Sequence, residues 1–226
     1  MHYVVFILII LAILIGPGLW VSAVMRRYHL PRNRYTRTGG ETARALLDAQ
    51  GLQHVVAEPT DRGDHYDPID KAVRLSTENF SSSSLTALTV AAHEVGHAIQ
   101  DANRFQPLRW RTRLVRWVAP VERLGAAMLM LAPFVALTPA RIVGILGFLA
   151  GLATLGAGIV VHALTLPTEF DASFGRAMPL IRQHDILRRE DIPRARKLLT
   201  AAALTYVSQA LQSLLNIARW WAILRR

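Results

Sequence analysis

The 226-residue chain has no cysteine, and that single absence removes disulfide frameworks, thiol catalysis and cysteine-ligated zinc together. Acidic side chains are also scarce. Sixteen Asp plus Glu face 26 Lys plus Arg, a formal net charge of +10. No internal repeat or low-complexity tract stands out; the nearest, Ser81 to Ser84, reads as the cap of the helix that follows. Such basicity would suit nucleic acid, but its placement argues for lipid instead, so no nucleic-acid partner is expected. Fourteen of the cations lie in 26–120 and seven in 165–200.

What the chain does have is blocked apolar sequence. Residues 3–25 carry no charge, and about twenty helical residues cross the hydrocarbon of a bilayer, so 3–25 is expected to be a transmembrane helix. Val21-Ser22-Ala23 has the look of a signal-peptide cleavage site. However, no Lys or Arg precedes it and Arg26-Arg27 follow, the charge order of a retained anchor. A second block runs from about Leu124 to Ala140 and a third from Ile142 to Leu166, a transmembrane hairpin over 124–166 turning at Thr138 to Arg141. Residues 201–224 repeat Leu204, Val207, Leu211, Leu214, Leu215 and Ala218 at helical spacing, a possible fourth transmembrane or interfacial helix. The positive-inside rule then sets 26–120 and 165–200 on the cytoplasmic side of the cell (inner) membrane, with Arg141 outside. Within 104–118, Trp110, Leu114, Trp117 and Val118 share one helical face and Arg109, Arg113 and Arg116 another, which suits a helix lying on an anionic bilayer.

Between the first two blocks the pattern changes. Tyr28 to Gly40 reads as a loop, and Glu41 to Gln50 as a short helix closed by Gly51. Gln53 to Glu58 and Ala72 to Ser76 have strand patterns around a turn-rich Asp61-Arg-Gly-Asp-His-Tyr-Asp-Pro68 stretch, which predicts a small hairpin. A helix is expected over about 84–102.

On that helix His93-Glu94-Val95-Gly96-His97 matches H-E-x-x-H. Residues four apart lie one turn apart on one helical face, so both imidazoles can reach a single Zn²⁺. Glu94, one position round the helix, is placed to take a proton from water and pass it to a leaving amine. Gly96 costs about 1 kcal/mol inside a helix, which points to close approach of another element.

A catalytic zinc wants three protein ligands and one open position. No further histidine follows His97 at a suitable spacing, so the third ligand comes from elsewhere. Glu169, in Leu166-Pro-Thr-Glu-Phe-Asp-Ala-Ser173, is the first acidic residue after the third block, and Thr168 could cap a helix starting there. Asp171 and His162 are the alternatives. His65, between Asp64 and Asp67, lines a cleft or sits in a solvated turn.

These residues together resemble the YugP-like neutral zinc metallopeptidases, bacterial membrane proteins. The likeness runs through Glu41-Thr-Ala-Arg-Ala-Leu-Leu-Asp48, Asp64-His-Tyr-Asp-Pro68, Val73-Arg-Leu-Ser76, Ala91-Ala-His-Glu-Val-Gly-His-Ala-Ile-Gln100 and Leu166 to Ser173. A more distant likeness, to the HtpX and CaaX-prenyl-protease type of membrane zinc protease, implies a glutamate ligand after intervening helices and so supports Glu169. That type has an aspartate four positions after the glutamate, where this chain has Ser173.

The expected fold is therefore a mostly α integral membrane protein with three or four transmembrane helices and a small cytoplasmic-side α+β zincin-like unit. Residues 26–120 form the zinc-protease region and 167–200 the helical region of the third ligand. The expected function is a membrane-bound zinc endopeptidase with His93, His97 and Glu169 on the metal and Glu94 as general base. Its substrates would be polypeptides or membrane proteins, and the lipid bilayer its other partner. The rival reading is a non-catalytic zinc-binding membrane scaffold or chaperone.

Overall fold

The computed structural model describes the backbone of residues 2–224. Side chains are described for 12, 211 and 15–207, apart from 119, 122, 133, 136, 155, 158, 159, 162 and 164. The described chain divides into two compact units, one of residues 1–18, 109–166 and 206–226 and one of 19–108 and 167–205.

The second unit holds the H-E-x-x-H helix. Helix α1 (His2–Arg27) enters it, followed by α2 (Gly39–Ala49), β1 (Val56–Thr60), β2 (His65–Asp67), β3 (Ala72–Ser76), α3 (Thr77–Ser81) and α4 (Leu85–Ala102). Helix α2 begins in a capping box, with Thr38 accepting from the Glu41 amide while the Glu41 side chain accepts from the Thr38 amide. It ends in a Schellman motif. Gly51 takes a φ of 71°, the Leu52 amide donates to Leu47 O and the Gly51 amide to Asp48 O. Ala43, Leu46 and Leu47 are thereby fixed on one buried face.

The three strands order as β1-β3-β2. Here the structure corrects the expected hairpin of 53–58 with 72–76: β1 runs parallel to β3, pairing Val56 with Ala72, and it is the short β2 that returns antiparallel, pairing His65 with Arg74. The turn formers signal a reversal, but one strand of three residues uses it up. Asp64 secures that reversal by accepting from the Ser76 amide at 2.7 Å and from Asn79 Nδ2 at 2.8 Å. Arg74 ties the sheet together through Glu58, Asp67 and Asp70.

Helix α4 starts at Ser84, whose hydroxyl accepts from the Ala87 amide at 3.1 Å. Every residue from Leu85 to Gln100 except Val90 is buried, because α2, α3, the sheet and a later π-helical turn all pack on this helix. Leu46, Leu47, Leu75, Leu88, Ile181, Leu198 and Leu199 are fully buried in the same core. Each contributes about 1.5–3 kcal/mol by leaving water.

In the other unit, α5 (Gln106–Ala136) and α6 (Arg141–Phe170) form a helical hairpin through the expected turn. A side chain at Gly125 would collide with Thr154, and one at Gly151 with Leu129. Leu129, Ala132 and Phe148 bury together there. Trp110 and Trp117 are exposed.

The membrane architecture expected for the chain is corrected by its helices. Among the described residues no helix is long and apolar enough to cross a membrane, which overturns the reading of a multi-pass integral membrane protein with spans at 3–25, 124–166 and 201–224. A crossing needs about twenty continuous apolar residues. The block beginning at Leu124 is only the second half of α5, whose first half carries Arg109, Arg111, Arg113 and Arg116. The 201–224 block likewise continues a helix, α8 (Ile192–Leu224), that opens with Arg194, Arg196 and Lys197. Side chains 3–11, 13 and 14 of the first block, 133 and 136 of the second, 155, 158, 159, 162 and 164 of the third, and 208–210 and 212–224 of the last lie outside the described ones.

The separate helix expected to start at Glu169 with Thr168 as its cap is also not what forms. Helix α6 runs through Pro167 to Phe170 and passes directly into a π-helical turn, Asp171–Ala177, and then α7 (Met178–Gln183). Pro167 removes one amide donor from this helix and sets its ring against the Ala163 carbonyl, yet the helix continues through it. A short 3₁₀ turn, Arg189–Asp191, leads into α8. Asp191 is completely buried and accepts from Arg34, Tyr35 and Arg194, a polar clamp between segments far apart in sequence. Burial alone would raise the Asp191 carboxyl; hydrogen bonds from Arg34, Tyr35 and Arg194 hold it below its ordinary range.

Candidate metal centre

His93 and His97 lie on one face of α4, one turn apart, with ring centroids 4.8 Å from each other and planes at 80°. The last turn of α6 brings Glu169 against both. Its Oε2 is 3.2 Å from His93 Nε2 and 3.5 Å from His97 Nε2. All three residues are buried, and their donor atoms fall within 4.8 Å of one another, a group able to hold a metal ion.

Two nitrogens and an oxygen at about 2.0–2.2 Å from a tetrahedral zinc stand about 3.3–3.5 Å apart, so the two measured contacts are close to the edges of that tetrahedron. The donor set of two imidazoles and one carboxylate is one that zinc takes. The residues present therefore fit the ion.

The electrostatics agree. Burial pushes the Glu169 carboxyl up, but the His93 and His97 rings outweigh it and hold the group well below the usual carboxylate range. A permanently charged carboxylate in a dry site is what a cation would select.

The far side of each imidazole is held as well. His97 Nδ1 is 2.9 Å from Gln100 Oε1, and Gln100 Nε2 donates to Thr168 O and Asp171 Oδ2, both at 2.8 Å. His93 Nδ1 is 3.2 Å from Ser173 Oγ, which also reaches Leu199 O at 3.5 Å. Both Nε2 atoms are left facing Glu169, as ligand nitrogens must. Ser173, four residues after Glu169, thus stands against His93.

Gly96 explains itself at this point. A Cβ on it would come within 2.8 Å of Ala172 O and 3.3 Å of Arg176 Cβ, so the π-helical turn carrying Ser173 can lie on α4 only because residue 96 has no side chain.

Of the expected site residues, His93, His97 and Glu169 meet, and Glu94 is buried beside them on α4. Asp171 does not join the cluster; it bonds Gln100 and, at 3.3 Å, Arg176. The His162 side chain lies outside the described ones. His65 belongs to the strand β2 and its Nδ1 turns to Gly63 O, away from this group. Gln100 is not singled out by the motif, although its position three residues beyond His97, one turn on along the same face, is a readable signal.

Comparison with known proteins matches residues 3–225 to a family described as "Putative neutral zinc metallopeptidase". The "Putative membrane protease YugP" of Bacillus subtilis (strain 168) is 35% identical over 215 residues, covering 91% of each chain. No solved structure matches. Sequence likeness over nearly the whole length, added to the buried His93, His97 and Glu169 group, places this chain in the neutral zinc metallopeptidase family.

Proposed function

We propose that the protein is a zinc-dependent endopeptidase in which His93, His97 and Glu169 hold the metal and Glu94 is the general base. The observation that carries this reading is the convergence of three buried donors at 3.2 and 3.5 Å. Zinc bound there would supply Lewis acidity toward a water and the scissile carbonyl.

The chain's own residues do the rest. His93 and His97 present Nε2 atoms whose rings are oriented from behind, and Glu169 contributes the negative charge. Glu94, about 100° round α4 from His93, takes the proton of the attacking water and returns it to the nitrogen of the departing amine. Its burial keeps that transfer in a low-dielectric setting, where a fixed carboxylate acts more strongly than it would in water. The substrate class is polypeptide. A scaffold that only stores zinc has no use for Glu94, since that residue is not among the three converging donors.

The test is zinc content together with casein hydrolysis, wild type against Glu94→Gln. The variant should keep about one equivalent of zinc and lose hydrolysis, because Glu94 works on water rather than on metal. Wild-type turnover in Glu94→Gln would refute the mechanism.

A further inference from the structure

Resting on the metal-centre reading, we infer that Gln100 is a positioning residue that locks the His97 ring in its Nδ1–H form and couples it to the carboxylate of Asp171.

An amide side chain presents one acceptor and two donors, and its orientation is decided by what surrounds it. At one end of Gln100 stand Thr168 O and Asp171 Oδ2, a carbonyl and a carboxylate, both 2.8 Å away. Neither accepts a partner that brings another oxygen. The NH₂ group therefore occupies that end with both hydrogens committed, and Oε1 is left toward His97 Nδ1 at 2.9 Å. An oxygen there takes only a hydrogen, so Nδ1 carries the proton. The Nε2 atom of the same ring is thereby turned toward Glu169 Oε2 at 3.5 Å. Gln100 is completely buried, so water does not substitute for any of these contacts.

The relay also reaches beyond α4. Asp171 is held by Arg176, whose Cβ lies over Gly96, so the segment that follows Glu169 sets the ring angle of a histidine on another helix. The two histidines are treated differently: His97 is linked through an amide to a carboxylate, whereas His93 is linked through a hydroxyl to the Leu199 carbonyl.

The test compares wild type, Gln100→Ala, Gln100→Glu and the double variant Gln100→Glu with Asp171→Asn. Zinc affinity is read by competition with a chelating indicator, and the His97 tautomer by nitrogen NMR on metal-free, histidine-labelled protein. Gln100→Ala should weaken zinc about 10–100-fold and lose the Nδ1–H preference. Gln100→Glu should weaken zinc as well, because its second oxygen meets Asp171 and Thr168 O. Adding Asp171→Asn restores a donor at that oxygen and should recover most of the affinity, a rescue that bulk or packing alone does not produce. If Gln100→Ala fails to fold, the paired exchange decides by itself. Wild-type affinity and tautomer in Gln100→Ala, or a double variant no tighter than Gln100→Glu, would overturn the inference. Should wild type take up no zinc while the His97 tautomer still depends on Gln100, the lock stands and the zinc reading falls.

Discussion

Replacing Gly96 by alanine adds one methyl group to the face of α4 that meets the π-helical turn. That methyl would lie 2.8 Å from Ala172 O, about 0.6 Å inside ordinary contact at 3.4 Å, whereas metal–ligand distances tolerate only about 0.2 Å. The opposing atom is backbone, so the segment must move as a body. Alanine gains about 1 kcal/mol of helix propensity, while overpacking costs about 1–3 kcal/mol. The difference is a net loss of about 1 kcal/mol, a fall in Tm of about 2–4 °C for a chain of this size. Zinc binding should suffer more than stability, by about tenfold or more, because Ser173 and Glu169 sit on or next to the displaced segment. Thermal unfolding of metal-free protein and a chelator competition measure the two effects separately. Gly147→Ala is the control: nothing lies within 4 Å of its added methyl, so it should be neutral or slightly stabilising. A Gly96→Ala protein with unchanged Tm and unchanged zinc affinity would refute the claim that this close approach holds the site together.

Glu169→Ala should empty the metal site, whereas Asp171→Ala should leave zinc bound at reduced affinity, since Asp171 acts only through Gln100; equal zinc loss in both, measured by elemental analysis, would contradict the assignment. Asp191→Asn should cost about 3 kcal/mol in denaturant unfolding, because Arg34 and Arg194 lose a buried counter-charge. Since the Asp191 carboxyl is held below its unfolded value, its stabilisation is full above about pH 4 and disappears as pH falls further, so the wild-type and Asp191→Asn stability curves should converge in acid.

The parts of the fold legible in the sequence were those fixed locally. Helices α2 and α4 follow from apolar spacing plus the stop at Gly51 and the start at Ser84, which act within a few residues of where they stand, whereas the Thr38 cap, which starts α2 two residues before Glu41 in what reads as a loop, goes unread. Strand partners are not local: the segments at 53–58 and 72–76 look like the arms of a hairpin, and only their register, Val56 with Ala72 through Thr60 with Ser76, shows that β1 and β3 are parallel while His65 to Asp67 takes the antiparallel place on the far edge of β3. Of the site, His93 and His97 are visible because helical spacing is geometry, and Glu169 because few residues of the right chemistry remain. Gln100 stays hidden since its chemistry is that of a partner to a ligand and not of a ligand. The multi-pass reading failed because hydropathy counts apolar residues without showing where a helix starts. Leu124 opens no helix; it continues one begun at Gln106.

The proposed ligands His93 and Glu169 are 76 residues apart, and between them the chain leaves its unit after residue 108 and rejoins it at 167. Loop closure over such a length costs entropy that only the packed state repays. During synthesis, therefore, a chain made only as far as the start of α6 already contains the whole H-E-x-x-H helix and yet lacks Glu169, the donor that completes the group. If the proposed mechanism holds, a newly made molecule is inert toward its neighbours until the π-helical turn has settled onto Gly96, and hydrolytic competence arrives as a late event of folding.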